Sequence, residues 1–169
     1  IARRYARAFI ALGQENGKTD TFAADLATFS VVLDTGDGEL RRALTNPGLT
    51  TVERKAVLDQ VLAKVKLDSD SANFLRLLVD KNRLGAFDGI QRAYNEMADE
   101  IAGRARAVVT TAAELTAAMK KTVQAALESS TGKTVEINFE VDPTLIGGMV
   151  AQVGDISYDA SVRARLEDI

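Results

Sequence analysis

Up to Ile101, apolar residues recur at spacings of three and four; the pattern then breaks near Gly103, and a run of strict alternation appears further on. Helices repeat every 3.6 residues and strands every two, so this change of period predicts a helical part followed by one that contains strands. The spacing predicts six helices. The first, near Ile1 to Asn16, presents Tyr5, Ala8, Phe9 and Leu12 on one face. The second runs from about Asp20 to Asp34 with Phe22, Leu26, Phe29 and Leu33 as its stripe, and Gly36 and Gly38 lie beyond its end. A short third, Glu39 to Leu44, stops before Asn46, because Pro47 disfavours helical geometry at the residue preceding it. Thr50 and Glu53 form a capping box at the start of the fourth, whose face holds Val57, Leu58, Val61, Leu62 and Val65. The fifth, Asp70 to Lys81, is the most apolar and is expected at the centre of the bundle. Phe87, Ile90, Tyr94, Met97 and Ile101 mark the sixth.

After Gly103, Arg106 to Thr110 reads as a strand. Thr111 with Glu114 reads as a second capping box, opening a helix striped by Leu115, Met119, Val123 and Leu127. Val135, Ile137, Phe139 and Val141 alternate with polar residues, the mark of a half-buried strand. Asp142-Pro143 makes a turn, and Gly147-Gly148 marks a bulge or a close backbone approach. Strands are expected at Met149 to Val153 and Ile156 to Tyr158, then a helix from Ser161. The expected fold is therefore mainly α: a six-helix bundle over residues 1–104, followed by a small α/β domain over residues 105–169.

The residue inventory narrows the chemistry. Histidine, cysteine and tryptophan are absent from the chain, removing the usual general base, the thiol nucleophile, disulfides and most zinc or haem sites. Gly132-Lys133-Thr134 mimics the tail of a phosphate-binding loop, but Leu127 stands where that loop needs glycine and the element order is helix then strand. Gly147-Gly148 lacks the third glycine of a dinucleotide fingerprint. The adjacent pairs Asp99-Glu100 and Glu167-Asp168 point in different directions on a helix and read as solvated charge. Ser157 and Ser161 have no histidine to activate them. Residues 1–104 carry balanced charge and the remainder an acidic excess, which disfavours a nucleic-acid partner. No run reaches the ~18 apolar residues of a membrane span. The lack of cysteine fits a reducing compartment.

The apolar stripes remain. Their plain reading is core; a groove between the first and fifth helices that admits an amphipathic helix is the other, since Ala8 is a small residue among larger ones. Two further function classes stay open on the residues alone: a helical adaptor or regulator unrelated to any larger machine, and an enzyme working through carboxylates.

Tyr5-Ala6-Arg7-Ala8, Asn46-Pro47 with Lys55 downstream, and the run from Asn73 to Leu84 resemble, in order, the N-terminal domain of the delta subunit of F-type ATP synthases, whose mitochondrial relative is the oligomycin sensitivity-conferring protein. The stretches Val108–Leu115 and Val141–Asp155, then Asp159, Ser161, Val162, Arg163 and Leu166, resemble its C-terminal part. The most specific segment contains Asp142, Pro143, Gly147 and Gly148, with Gly154 following; Ala160 departs from the glycine common before the serine. The resemblance implies a non-catalytic peripheral-stalk subunit, without cofactor or metal, that holds the catalytic head against rotor torque. It implies that Tyr5, Ala8, Leu12, Phe74, Leu77 and Leu78 receive the N-terminal helix of an alpha subunit, and that the C-terminal domain meets b-type stalk helices. It further implies contact with the membrane only through the complex, on the cytoplasmic side in bacteria or the matrix or stroma side in organelles.

Overall fold

The computed structural model describes residues 1–159 and divides the chain into two compact units, Ile1–Ala98 and Asp99–Ile169. The fold is mainly helical, with a small sheet in the second unit. The division falls within the sixth helix. Asp99 accounts for this locally, as it pairs with Arg106 at 2.6 Å and Arg104 at 3.4 Å, both in the strand that follows.

The helical unit contains α1 (Ala2–Asn16), α2 (Thr19–Asp34), α3 (Glu39–Thr45), α4 (Thr51–Leu62), α5 (Ser69–Asp80) and most of α6 (Phe87–Ile101), with a single 3-10 turn at Leu84–Ala86. The capping box before α4 is formed: the Thr50 hydroxyl accepts from the Glu53 N–H at 3.3 Å, and the Thr50 N–H donates to Glu53 Oε2 at 2.7 Å. Asn46 is extended, as the proline after it requires. Phe9 lies at the middle of the core, stacked on Phe22 at 4.4 Å and on Phe74 at 4.0 Å, with Tyr94 tilted against it. Gly13 leaves no room for a side chain between α1 and its neighbours: a Cβ there would lie 3.2 Å from the Phe22 ring and the Tyr94 hydroxyl, and 3.3 Å from Thr19 Cα. The Tyr94 hydroxyl donates to the Thr19 carbonyl at 2.8 Å, and burial raises its pKa. On α4 the buried residues are Arg54 and Leu58, while Val57, Val61 and Leu62 are only half-buried, and Val65, expected on the same face, lies beyond the end of the helix. Arg54 donates to Asn82 Oδ1 at 2.8 Å, tying α4 to the turn after α5. Ile101, expected on the inner face of α6, is 51% exposed.

In the second unit, β1 (Arg104–Thr111), α7 (Ala117–Thr131), β2 (Thr134–Val141), β3 (Met149–Val153) and β4 (Ile156–Asp159) form a sheet of order β2-β1-β3-β4. β1 and β2 are parallel and joined through α7; β3 and β4 are antiparallel additions. The core beneath α7 is Ala107, Val109, Val123, Leu127, Val135 and Ala151.

Three expectations fail here. No capping box forms at Thr111: it is the last residue of β1, opposite Val141 and Met149, and its hydroxyl donates to the Ala113 carbonyl at 2.7 Å. Ladder pairing on both sides holds Thr111 extended, so the helix starts six residues later, where the Thr116 hydroxyl accepts from the Met119 N–H. Met119 consequently sits in the exposed first turn of α7, and Val123 and Leu127 alone form its buried face. Val141 is 52% exposed at the end of β2. The helix expected from Ser161, and Ser161 itself, lie outside the described residues.

Candidate docking groove

α1 and α5 leave an open groove of about 480 Å³ along their shared outer face. Its floor is the aromatic pair Phe9 and Phe74, 2% and 8% exposed and stacked face to face. Tyr5, Ala8 and Leu12 form the α1 wall at the i, i+3, i+7 spacing of one helical face, and Leu77 stands on the α5 side. Leu12 on α1 and Leu77 on α5 are 36% and 42% exposed, so the trough leaves apolar side chains from both helices open to solvent. The Phe22–Phe9–Phe74 stack behind the floor fixes the spacing of the two helices, so the groove is a shape of the folded core and not a loop conformation.

The polar groups lie at the ends. Arg4 stands at one, its guanidinium 5.8 Å from the Tyr5 ring centroid. Asp70 and Asn73 lie towards the other, and the Asn16 amide there donates to Asp70 at 3.2 Å. With Asn16 beside Asp70 and Phe9 against Phe74, the two helices run in opposite senses along the groove. Asp68 caps α5 by accepting from the Asp70 N–H. Lys18 hydrogen-bonds the Asp68 carboxylate, which raises the lysine pKa and, with the Asp70 N–H, lowers that of Asp68.

Five of the six residues assigned to the groove from sequence, Tyr5, Ala8, Leu12, Phe74 and Leu77, line this one surface. Leu78 does not: it is fully buried in the helical core, because one residue along a helix turns the side chain by about 100° and carries it from the outer face to the inner. Phe9, read from sequence as part of the α1 stripe, proves to be the floor. Arg4, Asp70 and Asn73 escape the sequence reading, although their positions, at i−4 from Ala8, Phe74 and Leu77 respectively, put them on the same helical faces.

The motif residues of the second unit gather at the turns around β3. Asp142 accepts from the Thr144 N–H at 3.0 Å and its hydroxyl at 2.6 Å, bonds that lower its pKa, and its own N–H donates to Thr111. Pro143 follows in the same turn. Gly147 and Gly148 have φ of +68° and +76°, the left-handed region that side chains with a Cβ rarely occupy, and Gly154 opens the β3–β4 turn. Asp159 ends β4 opposite Val150. The would-be phosphate loop is the end of α7, with the Gly132 N–H bonded to the Glu128 carbonyl. Among the described residues, no helix is long and apolar enough to cross a membrane.

Comparison with known proteins places these features in a family. The ATP synthase delta (OSCP) subunit family matches residues 1–169. ATP synthase subunit delta of Trichlorobacter lovleyi is 42% identical over 172 residues, covering 100% of this chain and 95% of that protein. The Myxococcus xanthus subunit of the same name is 43% identical over 171 residues, with 100% and 93% covered. Among solved structures, a chain in the Toxoplasma gondii mitochondrial ATP synthase hexamer superposes with a TM-score of 0.72 at 20% identity, covering 99% of this chain and 94% of that one, a likeness of fold.

Proposed function

Because the chain belongs to the ATP synthase delta (OSCP) subunit family, we propose that it is a non-catalytic peripheral-stalk subunit of an F-type ATP synthase, joining the catalytic head to the stalk so that the head resists rotor torque. The observation that carries this reading is the apolar trough between α1 and α5, an open face of the kind on which an amphipathic helix seats its apolar side. Its occupant is the N-terminal helix of an alpha subunit. The α1 wall from Arg4 to Leu12 offers about 12 Å, two turns of an incoming helix, enough for three apolar anchors on one face. The second unit supplies the other attachment, to b-type stalk helices, and the membrane is reached only through the complex.

Ala8 gives the sharpest test, since a small exposed residue between Tyr5 and Leu12 lets the incoming backbone approach closely. In Ala8→Asp a carboxylate enters an apolar contact with no partner. Calorimetric titration of a synthetic alpha N-terminal peptide into the wild type and Ala8→Asp, both verified as folded by circular dichroism, is expected to show at least a tenfold loss of affinity; about 2.7 kcal/mol would make it a hundredfold. Equal binding by the two proteins would move the contact off this face. Capture by ATP synthase depleted of its own delta subunit tests the assembly itself and separates a stalk subunit from a helical adaptor of other purpose.

A further inference from the structure

The two ends of the groove differ in charge. At the Arg4 end, Arg3 and Arg7 are also exposed on the first turns of α1. Glu96 pairs with Arg3 at 3.7 Å, and Asp80, one turn beyond Leu77, is held by Lys55 at 3.3 Å. That end is basic. At the other, Asp68 and Asp70 share the Lys18 ammonium, at 2.9 and 3.6 Å, Glu15 lies exposed one turn from Leu12, and Arg76, which donates to Asn73 at 3.0 Å, is itself paired with Asp59 at 2.7 Å. That end is acidic.

Resting on the proposal that this groove seats a helix, and going beyond it, we infer that the groove reads the charge register of its occupant. The helix it selects carries carboxylates where it passes Arg4 and a basic group where it passes Asp70, with its apolar anchors between. Arg4 and Asp70 are then specificity-determining residues, and Phe9, Phe74 and Leu77 supply sequence-tolerant apolar contact. The physical basis is asymmetry of cost. A matched pair at a solvent-exposed rim adds little, whereas a like-charge pair held beside a docked helix opposes binding, so the rim selects which register of an apolar stripe is seated.

The test uses the full chain and three synthetic peptides that keep the apolar residues of the alpha subunit's N-terminal segment and differ only at their ends: acidic at one end and basic at the other, acidic at both, or basic at both. Titration calorimetry at low salt is expected to rank the mixed peptide first for the wild type, by about two- to fivefold per mismatched end. Arg4→Glu is expected to prefer the peptide basic at both ends, and Asp70→Lys the one acidic at both, with all preferences shrinking as salt shortens the screening length. Asp70→Asn, which keeps the shape of the side chain, should weaken discrimination at that end, where Asp68 and Glu15 remain, and serves if Asp70→Lys does not fold. An unchanged ranking across wild type and variants overturns the charge selection while helix docking stands. If none of the peptides binds the wild type, both fall together.

Discussion

The two units solve the problem of presenting a surface in different ways. In the helical unit, six aromatic rings, Phe9, Phe22, Phe29, Phe74, Phe87 and Tyr94, are buried together with aliphatic residues from every helix, and the groove is the outer surface of that packing. In the second unit, the buried apolar residues among those described are Ala107, Val109, Val123, Leu127, Val135 and Ala151, and order depends more on ladder pairing around β1 and on turns with fixed backbone geometry. Side-chain volume is therefore the sensitive variable in the first unit and backbone dihedral the sensitive one in the second.

The largest effect expected from this contrast is that of Phe9→Ala. Losing the ring between Phe22 and Phe74 should cost about 3–5 kcal/mol and remove the groove floor. Chemical denaturation followed by residue-resolved amide signals should show the helical unit destabilised and the β1–β3 signals unshifted; a loss shared equally by the two would break the comparison. Next in size are Gly147→Val and Gly148→Val, which force a β-branched residue into positive φ and should cost the second unit about 1–3 kcal/mol while α1 to α5 keep their stability. Wild-type stability in both variants would show that these glycines serve something other than backbone geometry.

The smallest effect is set by pH, and it should appear in both units. Hydrogen bonds from Thr50 lower the pKa of Glu53, and those from Thr144 lower that of Asp142. A carboxylate with a depressed folded-state pKa stabilises the fold above its unfolded value and loses that contribution as pH falls through the folded one. Melting temperatures measured from about pH 6 downward should therefore fall less steeply in Glu53→Gln for the helical unit and in Asp142→Asn for the second. Slopes identical to wild type would mean that neither turn carries acid sensitivity.

The same contrast explains which features could be read in advance. The capping box of Thr50 and Glu53 is a local device, complete within four residues, and it forms as the residues propose. Thr111 and Glu114 offer the same letters, yet pairing of Thr111 with Val141 and Met149, 30 and 38 positions away, outweighs the local preference. Leu77 and Leu78 are likewise indistinguishable by type. One is in the groove and the other in the core, and nothing within α5 says which.

By itself, the sequence determined the period of most segments, the helix stop at Asn46-Pro47 and the alternation of β2, because each of these depends on sterics and hydrogen bonds among near neighbours. Only the tertiary structure decided the order β2-β1-β3-β4, the burial of Arg54 and Leu78, the exposure of Leu12 and Leu77, and the placing of Arg4 and Asp70 at opposite ends of one trough. Those outcomes depend on which face of each element finds a partner, and the partner is supplied by residues far away in the chain.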